Sequence, residues 1–165
     1  MFELKRLSED AIPAALEKAL RYRLLNEPHE AESICQDVLN VDSKNQEALV
    51  LLLLALTDTF SEGHAAGARQ AQEILSRLED PYERAYYAGI ICERQAKARL
   101  LQGHPGASHD AYEFLSEAME WFEKAESLRP PNNDDALLRW NTCARMITAN
   151  RLTPRLQEPV EIGGD

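Results

Sequence analysis

QEALVLLLLALTDTF, residues 46–60, is the stretch whose reading decides the fold. From Ala48 to Leu56 it leaves no polar stripe at helical spacing, and a helix that is apolar on every side has to be buried on every side. The run is too short to cross a bilayer, which takes about 20 apolar residues, and Glu47 and Asp58 close it off. It predicts a central helix inside a soluble protein. Around it there is no sustained alternation of apolar and polar residues, and β-branched residues are few beside Ala, Leu, Glu and Arg. The chain is therefore predicted to be all-α.

Upstream, Asp10 is placed to cap a first helix carrying Pro13 in its first turn, where a missing N–H costs nothing. That helix runs to about Leu25. Asn26 suits a left-handed terminating residue and Pro28 opens a second helix that lasts to about Val41, with Ala31, Ile34, Cys35, Val38 and Leu39 on one face. Ser43 and Gln46 form an S-x-x-Q capping box for the central helix. Downstream, Ser61–Gly63 separate it from a fourth helix ending near Leu78. Asp80, Pro81 and Glu83 start a fifth that can run to Gln102. Residues 103–108, GHPGAS, read as a loop, after which Asp110 and Glu113 start an amphipathic helix ending before Pro130. Asn133 caps a last helix from Asp134 to about Asn150. This divides the chain into an arm (1–9), a helical domain (10–150) and a C-terminal tail (151–165) with nothing evident to anchor it.

One domain is the natural size for 165 residues of which 44% are hydrophobic. A net charge of −10 without a cluster of Lys or Arg argues against nucleic acid and anionic membranes as partners. The three cysteines, Cys35, Cys92 and Cys143, are widely spaced among apolar residues. They read as reduced core side chains. The start, MFELKRLSED, lacks the apolar core of a secretory signal, so a cytoplasmic protein without membrane insertion is expected.

Counting from Ile12 to Gln46 gives a period of 34 residues. The run AMEWFEKAESLRPPN places Ala118, Phe122, Ala125, Leu128 and Pro130 in an A-x3-F-x2-A-x2-L-x-P spacing, and in this it resembles the second helix of a tetratricopeptide repeat. Residues 29–45 are similar, with Ala31 as the small residue, Cys35 in place of the aromatic, Val38 in place of the second alanine and Ser43 where proline is usual. In the first helices Ala19, Gly89 and Ala144 stand where the family wants a small residue, and Leu53 does not match. The resemblance implies an α-solenoid of three helical hairpins closed by a capping helix, with Trp140 and Cys143 at the open end. The third hairpin is longer than usual, because 29 residues separate Gly89 from Ala118. Its excess adds about two turns to each of its helices.

For such a stack the family implies a concave surface lined by the first helices. On that register it would carry Leu16, Leu20, Leu24, Val50, Leu54, Tyr86 and Ile90, with Arg23, Glu93 and Arg94 at its edge. The lining is apolar and suits an amphipathic helix or an extended apolar segment of a protein or peptide partner. The same leucines could instead be core, or be covered by the chain's own arm or tail. Heat-shock carboxylate clamps of this family present Lys and Asn where this chain has Leu16, Leu20 and Val50, so that activity is not implied.

The function expected from the sequence is a non-enzymatic adaptor without cofactor, with association of a second copy left open. A small acidic secretion-type chaperone, shielding apolar segments of a client, is the alternative within the same resemblance. A metal- or thiol-dependent enzyme is the alternative from another class. For a metal, His104, His109 and Asp110 flank a Pro-Gly turn and lack a fourth ligand, so a polar loop is the preferred reading. For a thiol nucleophile, neither Cys92 nor Cys143 has a histidine nearby in sequence. No glycine-rich phosphate loop, H-E-x-x-H or G-x-S-x-G motif occurs.

Overall fold

Seven α-helices follow one another in a computed structural model that describes residues 1–63 and 65–157. They are α1 (Ile12–Leu24), α2 (Pro28–Val41), α3 (Gln46–Asp58), α4 (Ala65–Ser76), α5 (Pro81–Gln102), α6 (Ala107–Leu128) and α7 (Asp135–Ala149). Short 3-10 turns precede α1 and α4, and no strand occurs among the described residues. Each helix packs on the next, and α3 touches α1, α2, α4 and α5. The apolar run quoted above thus sits at the centre: Leu49 and Leu53 are fully buried, and only Val50, Leu54 and Asp58 of its later turns keep partial exposure. Burying one such leucine stabilises the fold by about 1.5–3 kcal/mol.

Several punctuation signals act as the sequence predicts. Asn26 is left-handed (φ 61°), and Pro28 follows as the first residue of α2. Asp80 accepts a 3.0 Å hydrogen bond from the Tyr82 amide, with Pro81 opening α5 and left-handed Gly103 (φ 65°) ending it. Ahead of α7 the cap position is Asp134 rather than Asn133, although the Asn133 side chain does accept from the Asp135 amide at 3.0 Å.

Others act differently. The cap of α3 is Asn45, whose side chain accepts from the Ala48 amide at 2.9 Å. Ser43 and Gln46 do not form the expected box. Gln46 is already inside the helix, and its side chain accepts from the Glu79 amide at 2.9 Å while Arg77 donates to the Ser43 carbonyl at 2.7 Å. The α2–α3 turn is thereby tied to the α4–α5 turn. Asp10 lies in the 3-10 turn before α1 rather than capping it. Helix α6 starts at Ala107, with left-handed Gly106 (φ 81°) before it, so Asp110 lies in its first turn, where a carboxylate favours the positive end of the helix dipole.

Helices α5 and α6 each have 22 residues, about 33 Å of helix, and pack along one another. The core forms two clusters. Leu16, Leu49, Leu53, Ile74 and Leu78 belong to the first, together with Ile91 and Ala98 of α5. Ile90, Cys92 and Ala96 of α5 join Leu115, Phe122 and Cys143 in the second. Helix α5 is the wall between them. After α7 the chain doubles back: Leu152 is buried in the second cluster, the Thr153 carbonyl lies 2.9 Å from His109 Nδ1, and Arg155 pairs with Asp110 and Glu113. These contacts anchor the first residues of the tail. Residues 158–165 lie outside the described part.

Candidate interaction surface on helices α1, α3 and α5

Of the seven lining residues that the sequence assigns to a partner surface, Leu16 and Ile90 are core side chains, one in each cluster. Val50, Leu54 and Tyr86 are half-buried and pack against those clusters. Leu20 and Leu24 are open, at 42% and 72% exposure, and lie one turn apart on the same face of α1. The apolar row is therefore continuous in sequence register and runs from buried Leu16 outward to exposed Leu24.

Arg94 takes part in an arrangement with partners from two other helices. Asp58, at the end of α3, lies 2.8 Å from Arg23 Nε of α1 and 3.2 Å from Arg94 Nη1 of α5. All three side chains are mostly withdrawn from water, with exposures of 18%, 16% and 29% for Arg23, Asp58 and Arg94. A carboxylate between two guanidinium groups fixes the spacing of α1, α3 and α5 and leaves a surplus positive charge beside the leucine row. Arg23, Asp58 and Arg94 stand 35 and 36 residues apart in sequence, close to the 34 residues counted from Ile12 to Gln46.

Glu93 is not an edge residue. It is 0% exposed and pairs with Arg139 of α7, while Lys97, one turn on, comes within 3.6 Å and the Cys143 thiol donates to Oε1 at 3.7 Å. The reason is α7, which covers this side of α5 and brings Arg139 from 46 residues away. Tyr86 sits in an aromatic group, its ring centroid 5.1 Å from Tyr87, 5.9 Å from Tyr82 and 5.8 Å from Phe122. Burial pushes its hydroxyl, and that of Tyr87, up to about 12. Tyr86 thus contributes mainly to packing.

The cysteines are buried and unpaired, and burial pushes all three thiols up to about 12 from an ordinary 9.0. A thiol with a raised folded-state pKa contributes stability that is complete below its unfolded value and is lost as pH rises towards the folded one. Two outcomes are expected. At about pH 8 the folded protein reacts with a thiol reagent far more slowly than the denatured chain, and denaturant midpoints fall as pH rises from about 9 to 12. Fast labelling of the folded protein would contradict this placement.

His109 and Asp110, with His104 the residues that could share a metal on the sequence, instead engage Thr153 and Arg155. Among the described residues no group of three His, Cys, Asp or Glu side chains is placed to hold a metal ion, and no helix is long and apolar enough to cross a membrane. Two cavities lie away from the leucine row. One of about 310 Å³ lies between the arm, α1 and α2 and includes Leu7, Ala15 and Ile34. Another, of about 320 Å³, opens between α4, α5 and α6. Sequence reasoning missed the second, since its lining comes from three helices that share no sequence motif. No protein-family model matches the chain, and neither a curated protein nor a solved structure matches it significantly.

Proposed function

We propose that the chain is a tetratricopeptide-like helical stack and acts as a non-enzymatic adaptor for a protein or peptide segment. The repeat reading is supported by the residues that carried the resemblance. Ala118, Phe122 and Ala125 of α6 are fully buried, as are Cys35 and Val38 of α2, and Gly89 of α5 faces the Phe122 ring. Consecutive packing of the helices and the near-period spacing of Arg23, Asp58 and Arg94 agree with it.

The observation that carries the binding role is the exposure of Leu20 and Leu24 beside half-exposed Val50 and Leu54 and the Arg23–Asp58–Arg94 bridge. Leucines repeated at i and i+4 form the kind of row that receives an amphipathic helix. Because Leu20 and Leu24 are exposed, changing both to glutamate is expected to leave the melting temperature within a few degrees of the parent, since surface changes usually cost less than about 0.5 kcal/mol. The same double variant is expected to lose the proteins that the parent captures from an extract of its native cells, identified by mass. Retention of those proteins by a folded Leu20→Glu/Leu24→Glu variant would remove this face from the function.

A further inference from the structure

The cavity between α4, α5 and α6 is independent of the leucine row. Leu75, Trp121 and Leu128 form its apolar part, and Arg84 and Lys124 stand at its rim. Its lining contains two cations and no carboxylate, in a chain with 28 acidic and 18 basic residues. The neighbouring groove between α2 and α4 has the opposite character, with Glu32 and Glu73 in its lining and no cation. The two cations are also held in place. Arg84 donates through Nη1 to the Leu78 and Glu79 carbonyls at 3.0 Å, which leaves its other guanidinium nitrogens for a ligand. Lys124 Nζ stands 5.2 Å from the centre of the Trp121 ring, so its ammonium is fixed against the aromatic face that borders the cavity.

At about 320 Å³ the space is at the lower end of the range for ligand pockets, about 300–1,000 Å³. That is room for an apolar anchor and not for a whole helix. From this volume, the indole wall and the charge selection we infer that the α4–α5–α6 cavity is a second docking site, for an acidic segment of a partner protein that inserts one large apolar side chain beside Trp121. Its carboxylates meet Arg84 and Lys124. The local charge is what admits such a segment to a protein that is otherwise strongly acidic, and it gives the site its selectivity, since like charges set against each other exclude the wrong partner.

The test uses three synthetic peptides of equal length: phenylalanine between glutamates, phenylalanine between lysines, and alanine between glutamates. Binding is followed on the full chain by the NMR signal of the Trp121 indole N–H, assigned with Trp121→Phe, with the Trp140 signal as the internal control. The glutamate–phenylalanine peptide is expected to shift the Trp121 signal alone and to bind at least about tenfold tighter than the other two, with affinity falling as salt rises. Arg84→Glu/Lys124→Glu is expected to reverse the preference between the first two peptides. Lys124→Glu by itself, which leaves the Arg84 bonds to the α4–α5 turn intact, is expected to abolish it. Equal binding of the charged pair, or no movement of the Trp121 signal with any peptide, overturns the proposal. Binding seen only after the chain is cut back to Gln157 would assign the cavity to the chain's own C-terminal residues and overturn a partner as its occupant.

Discussion

Arg139→Met is expected to destabilise the fold by about 3–5 kcal/mol, the loss typical of a buried ion pair from which one partner is removed. The cost arises on Glu93, which is 0% exposed and would lose the guanidinium that balances its carboxylate. Lys97 lies 3.6 Å away but is 39% exposed and divides its ammonium between Glu93 and water, so it compensates only in part. The Cys143 thiol, at 3.7 Å, is a weak donor. Urea unfolding of the single variant measures the loss. Adding Glu93→Gln to Arg139→Met removes the unpaired charge and is expected to recover part of it, so that the effects of the two changes are strongly non-additive. A single variant as stable as the parent would show that Arg139 is not what balances Glu93.

Gly89→Ala is expected to destabilise the protein although the same change in an ordinary helix interior stabilises by about 1 kcal/mol. A Cβ at position 89 would lie 2.5 Å from Cε1, 2.7 Å from Cδ1 and 2.8 Å from Cζ of Phe122. The ring cannot move aside, because Phe122 is itself fully buried. Overpacking of this kind costs about 1–3 kcal/mol, which outweighs the gain in helix propensity. Gly89→Leu adds more volume at the same point and is expected to lower the melting temperature further. Phe122→Leu vacates the space, so Gly89→Ala in that background is expected to cost less than in the parent. A thermal melt in which Gly89→Ala raises stability would place α5 and α6 farther apart than they are here.

These two positions mark how far the residues alone reveal the molecule. Gly89 was legible because it stands where the resemblance implies a small residue at a close approach of two helices, and it is the Phe122 ring that takes up that space. The limits of α5 were legible for a similar reason, since Asp80, Pro81 and Gly103 act on their own backbone. Glu93 was not legible: its burial depends on α7 and Arg139, and a charged residue on an amphipathic helix ordinarily reads as surface. Asn45 was missed as the cap of α3 because the choice between Ser43, Asn45 and Gln46 turns on the exact geometry of a short turn, and three polar residues there compete for the same amides. The leucine row was legible as a row. The depth at which each member sits, from buried Leu16 to open Leu24, is set by what packs across from α1 and appears only in three dimensions.

The position of α5 between the two core clusters has a consequence for how the protein opens. Ile91 and Ala98 complete the cluster made by α1–α4, while Ile90, Cys92 and Ala96 complete the one made with α6 and α7. Helices that meet only their neighbours tend to come apart piecemeal, with the ends fraying first. Here the departure of α5 opens both interiors at once, since α5 cannot leave one half without disrupting the other. The halves are therefore coupled into a single cooperative unit, with the opening of α5 as the step that links local fraying to global unfolding.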